Sequence, residues 1–137
     1  MRRLILAAVL LCLPDLAHAA CGPEPVTDVT VTLGRTQSAL HWTAPHANCS
    51  SGGAASAYSV RYSFSPIDEQ NFWSATEISE SPPPPSAPGT VECVGMTHAT
   101  GVTLYVAVKS QDASGNWSPL SNVLQFTTHT TGVNPMC

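Results

Sequence analysis

Four cysteines are the residues best suited to chemistry in this sequence: Cys21, Cys49, Cys93 and Cys137. A fifth, Cys12, lies in an apolar leader. No CxxC spacing occurs, which disfavours a thiolate zinc site. An even count in a small exported chain points instead to two disulfides, with three possible connectivities. His41, His46, His98 and His129 fall on separate segments, so no metal site is expected. Serine is abundant, yet no G-x-S-x-G elbow is present, and Asp68-Glu69 lies in an apparent loop. With no nucleophile paired to a base, the chain reads as a non-enzyme without cofactor or metal. Asp112-Ala-Ser-Gly-Asn116 is faintly like a calcium loop but lacks further acidic ligands. A tight turn accounts for it, with Asp and Asn bonding local backbone and Gly at positive φ. Two glycosylation sequons, Asn48-Cys49-Ser50 and Asn116-Trp117-Ser118, matter only in a host that uses them.

The leader sets the compartment. Arg2 and Arg3 precede an unbroken apolar run from Leu4 to Leu13, and Ala17-His18-Ala19 fits a small-x-small cleavage site. The run is too short to span a bilayer. Residues 1–19 therefore read as a signal peptide, 20–128 as one domain and 129–137 as a tail without periodicity. The expected location is secreted, periplasmic or at the cell surface. Lipid anchoring at Cys21 is disfavoured, because His18 replaces the aliphatic residue such a site needs. Without the leader, three basic residues (Arg35, Arg61, Lys109) face eight acidic ones, a net charge of −5. No basic patch exists to hold phosphates, which argues against nucleic acid. No second apolar segment suggests a membrane span.

Period-two alternation dominates the rest of the chain. It predicts strands over 26–33, 38–43, 57–63, 73–78, 90–96, 104–111 and 120–127. Leu40, Trp42, Tyr58, Val60, Tyr62, Val106 and Val108 take the inward positions, while His41, Ser59 and Arg61 face out. Pro45–Ser56 reads as a polar loop. The proline run in "SESPPPPSAPG" cannot donate to a ladder and reads as a stiff surface connection. Seven short strands separated by turns predict an all-β, two-sheet antiparallel sandwich.

The residues "ALHWTAP", "AYSVRYS" and "LYVAVKSQDASGNWSPLSN" together resemble a fibronectin type III domain over about Pro25 to Thr128. "RYS.SPI…NFWSAT" looks like a variety found in secreted bacterial proteins. The resemblance implies a seven-stranded, immunoglobulin-like sandwich with Trp42 between the sheets. It also implies a protein-binding or spacer role, or a carbohydrate-binding accessory role. The sequence departs from the family at Leu104, where a corner Tyr is usual, and it has no Arg-Gly-Asp stretch. "WSPLS" partly resembles the W-S-x-W-S signature of cytokine-receptor type III domains, with Leu120 in place of the second Trp. There the Trp interleaves with basic side chains, so Trp117 is expected to stack on Arg61 or Lys109, as a surface staple or as a contact for an unknown protein or glycan.

Strand order in this topology favours a Cys49–Cys93 bridge, with Cys93 facing inward in step with Val91. Cys21 and Cys137 are then left to pair. Cys21–Cys49 is the main rival, because the N-terminus and the Cys49 loop share a pole.

Overall fold

The computed structural model describes residues 21–49 and 51–137. The expected signal peptide, and Cys12 with it, lies outside the described residues. Nine strands are present among the described residues: β1 (Thr30–Thr32), β2 (Gln37–Thr43), β3 (His46–Asn48), β4 (Ser51–Ala54), β5 (Ala57–Ser63), β6 (Thr76–Glu77), β7 (Val91–Thr97), β8 (Thr103–Gln111) and β9 (Leu124–Thr127). They form a three-stranded sheet, β1-β2-β7, and a four-stranded sheet, β6-β5-β8-β9. All pairings are antiparallel. The architecture is the expected β-sandwich.

Alternation builds its core. Leu40 and Trp42 from β2 face Val60, Val106 and Val108 from β5 and β8, each no more than 1% exposed. Trp42 meets Tyr58 edge-on, with ring centroids 5.1 Å apart. Tyr62 is partly buried and packs against the same cluster. Burial pushes the Tyr58 phenol up to about 12, and its hydroxyl donates to the buried Glu92 carboxylate at 3.4 Å.

The structure departs from the sequence reading in three places that matter for function. First, Pro45–Ser56 is not wholly loop: β3 and β4 pair as a small hairpin, with Gly52 at φ +91 where a left-handed backbone is required. Second, only residues 76–77 of the expected 73–78 strand are extended, and Phe72–Ser74 is a 3-10 turn. Third, the last strand begins at Leu124 rather than Leu120. Pro119 has no N–H, so the ladder beside β8 is interrupted there. The hydroxyls of Ser118 and Ser121 accept the Ser110 and Val108 N–H groups instead, while the N–H groups of the two serines donate back to the same two residues.

The expected Cys49–Cys93 bridge is replaced by Cys21–Cys49 and Cys93–Cys137, each with a Cα separation of 5.5 Å. The parity of β7 is the physical reason. Glu92, Val94 and Met96 point inward, which turns Val91 and Cys93 to the outer face. Glu92 can remain inside because Tyr58 and the Ser86 N–H both bond its carboxylate. Cys93 therefore looks away from the Cys49 loop and meets the returning tail. That tail is also held by Asn134, whose Oδ1 accepts the Thr36 and Gln37 N–H groups. No helix among the described residues is long and apolar enough to cross a membrane.

Candidate functional site

The outward residues of β5 and β8 are not all exposed. Ser59 is 3% exposed and Lys109 6%. They are covered by the connection from Ser63 to Ala75, which folds back over the sheet. Ile67 and Phe72 from this connection bury against Ala107 and form a second apolar cluster. The connection is knitted by its own polar residues. The Asp68 carboxylate accepts the Gln70 and Asn71 N–H groups, and the Asn71 side chain accepts from Asp68 N–H and donates to the Pro66 carbonyl. These local bonds present Phe72 and Trp73 to the sheet.

A cationic and aromatic ladder results. The Arg61 guanidinium lies 5.2 Å from the Trp73 ring centroid and 5.8 Å from that of Phe72. It is held there by hydrogen bonds to the Trp73 and Ala75 carbonyls and to the Ser59 hydroxyl. The Lys109 ammonium lies 5.4 Å from the Phe72 centroid and 6.0 Å from that of Trp73. It also pairs with Glu69. Trp117 closes the ladder edge-on to Trp73, with centroids 5.0 Å apart and planes at 69°.

Arg61, Lys109 and Trp117 are thus brought to one face, but the expected direct stacking of a cation on Trp117 is corrected. Both cations stack on Phe72 and Trp73, and Trp117 joins them through Trp73. The sequence reading misses Trp73 because the expected strand 73–78 begins there, and misses Glu69 and Phe72 because the segment ahead of that strand reads as loop. The Asp68 and Asn71 pair ahead of it was the visible signal of a structured turn.

Glu69 clamps two elements. Its carboxylate accepts from Lys109 and from the Leu120 N–H, joining the β5–β6 connection to the segment after Trp117. The Lys109 bond, with help from the Leu120 N–H, holds the Glu69 carboxyl below its ordinary 4.5. Because the folded value is the lower one, the clamp's stabilisation is present above the ordinary value and fades as pH falls through the folded value. We expect an NMR titration to show the Glu69 carboxyl ionising below the ordinary range of exposed carboxyls, and Glu69→Gln to abolish this acid-linked loosening. A Glu69 carboxyl titrating with the exposed ones would refute the clamp. At the neighbouring turn, the Asn116 side-chain amide and local N–H groups similarly hold the Asp112 carboxyl low. Gly115 sits there at φ +88, as the turn requires.

Beside Trp117 the pole carries a groove of about 410 Å³, lined by Pro23, Glu24, Pro25, Cys49, Trp117 and Pro119 among others. One wall is the N-terminal segment, held by the Cys21–Cys49 bridge and by paired backbone bonds from Glu24 to His46 and from Cys49 to Gly22. The other wall is the Ser118-anchored segment.

No family model matches the chain. A mouse (Mus musculus) protein, calcium-activated chloride channel regulator 3A-1, is 30% identical over 119 residues, which cover 82% of this chain. The chain spans only 13% of that protein's length. A solved myokine structure overlays with a TM-score of 0.53 at 14% identity, covering 79% of this chain and 99% of the myokine chain. At that identity the likeness concerns the fold alone, and the fold in common is a β-sandwich. The curated relative is a mouse protein, so it lends no support to the bacterial variety suggested by the sequence phrase.

Proposed function

We propose that this chain is an exported, non-catalytic interaction module of the fibronectin type III kind, which binds a partner protein through the Trp73–Trp117 pole. The observation that carries the reading is the ladder itself. Its aromatic residues are fixed by the half-buried Arg61, the buried Lys109 and the Glu69 clamp, yet Trp73 remains 44% exposed. A rigid, half-exposed Trp with Arg nearby has the composition of interface hot spots. Two disulfides fit an oxidising compartment, which supports export. A sandwich with the shape of a myokine, and a curated relative named as a regulator of a channel, are both compatible with recognition rather than turnover.

A carbohydrate-binding platform would need coplanar ring faces. Here Trp73 meets Phe72 at 81° and Trp117 at 69°, so edges and faces alternate. That geometry favours a shaped protein surface over a flat sugar. A spacer role would leave the pole without a ligand. The reading is tested by placing a photo-cross-linker at the exposed Ser74, beside Trp73, and exposing the protein to its native secreted fraction. A discrete adduct is expected that fades with Trp73→Ala. Adducts only from a linker at Thr32, on the other sheet, would overturn the assignment, as would turnover on a hydrolase panel that survives clean purification.

A further inference from the structure

We propose that the groove beside Trp117 takes a proline-rich segment of the partner, in polyproline II form, with a basic residue at one end. This rests on the reading of the pole as a protein-binding site and names the chemistry of its ligand. Three observations support it.

The lining is the first. Pro23, Pro25 and Pro119 give ridged apolar walls, and Trp117 supplies a ring and an indole N–H. A polyproline II helix has no internal hydrogen bonds. It offers pyrrolidine rings to such ridges and bare carbonyls to such a donor, and little of its entropy is left to lose on binding.

Rigidity is the second. Each wall is tied down before any ligand arrives. The Cys21–Cys49 bridge and the Ser110 hydroxyl bond to the Glu24 carbonyl hold one wall. Ser118 and the Trp73 contact hold the other. A preformed groove suits a preformed ligand.

Charge is the third. Among the described residues, the two ion pairs use Glu77 and Glu69, while Glu24 bonds only through its main chain. Glu24 lines the groove and has no cation partner among the described residues. Arg61 and Lys109 are committed to the ladder, and Arg35 belongs to the β1–β2 turn at the other end of β2. A basic residue on the ligand would supply the missing partner and fix its direction. The same argument excludes this chain's own run, Pro82–Pro85, from a second copy's groove, because Glu80 and Glu77 precede it and would meet Glu24 as like charges.

The test uses four fluorescent peptides titrated into the intact disulfide-bonded protein and followed by anisotropy. One is a proline–leucine repeat ending in Arg, the second ends in Glu, the third has glycine for every proline, and the fourth is this chain's own Ser79–Pro88. The Arg peptide should bind about tenfold more tightly than the other three. Glu24→Lys should invert the preference towards the Glu peptide, and because the Glu24 bonds are all made by its main chain the substitution leaves them in place, with the thermal unfolding midpoint of the variant measured alongside. Chemical-shift changes should centre on Trp117 and Pro25. Equal binding of the Arg and Glu peptides, no binding of either, tightest binding of the chain's own segment, or shifts confined to Trp73 would overturn the proposal. If the peptides fail while the Ser74 cross-link still depends on Trp73, the interaction surface stands and only its ligand chemistry falls.

Discussion

Replacing Phe72 with alanine should cost the domain about 3–5 kcal/mol, the usual range for emptying a fully buried Phe site. Phe72 is 0% exposed, and it is the largest side chain in the second apolar cluster. It also gives Arg61 and Lys109 a ring face, so its removal strips two cations of a favourable neighbour while leaving them covered. Lys109 fares worse, since its side chain is only 7% exposed. The ammonium must then either find water, which opens the connection, or remain desolvated with Glu69 alone. Both outcomes destabilise, and the cheaper one sets the measured value. Equilibrium urea unfolding gives that value, and native-state amide exchange at Ser59 and Lys109 shows whether the connection opens locally or the sandwich unfolds as a whole. Trp73→Ala should cost less, because nearly half of that side chain is in water already. A Phe72→Ala loss below about 1 kcal/mol would mean that the connection does not pack on the sheet as described.

This second cluster marks the limit of what alternation can tell. The pattern in "AYSVRYS" separates Tyr58, Val60 and Tyr62 from Ser59 and Arg61, and the first three join the central core while the other two lie on the ladder side. Period two says which side chains share a face. It does not say what lies over the other face. Ser59 and Lys109 looked solvent-facing because nothing in β5 or β8 announces a cover. The cover is written in another segment, where Phe72 and Trp73 follow a self-bonding Asp68 and Asn71. The sandwich was legible because its core strands are long and strictly patterned. The ladder was half legible: its cations and Trp117 were visible as a group, but the ring that joins them was misassigned to a strand. The Ser118 and Ser121 bonds were hidden because "WSPLSN" has apolar spacing that imitates a strand, whereas Pro119 forbids a continuous ladder.

The larger expected effect at the covalent level concerns Cys93–Cys137. Removing both cysteines should lower stability by about 4 kcal/mol on chain entropy alone. The Cys21–Cys49 pair should cost slightly less, about 3.6 kcal/mol, because it closes the shorter loop. The sequence separations are 44 and 28 residues. The expectation of Cys49–Cys93 failed on a single point of parity. It placed Cys93 with Val91 on the inner face, as hydrophobic content suggests, but Glu92 holds that face and Val91 is 69% exposed. A polar residue can win an inward position when its partners are supplied by distant segments. The Tyr58 hydroxyl and the Ser86 N–H are 34 and 6 residues away from Glu92 in sequence. No local pattern around Cys93 reports them. Peptide mapping without reduction should therefore yield two linked pairs, Cys21 with Cys49 and Cys93 with Cys137. The two double-alanine variants should also differ in kind. Loss of Cys93–Cys137 frees the tail and exposes Asn134 and the β1–β2 turn to exchange, while the groove beside Trp117 keeps both walls. Loss of Cys21–Cys49 should spare the tail and loosen the Pro23–Pro25 wall. A linked Cys49–Cys93 peptide, or a tail variant that loosens the Trp117 pole first, would show that the two bridges do not divide the sandwich between its poles in this way.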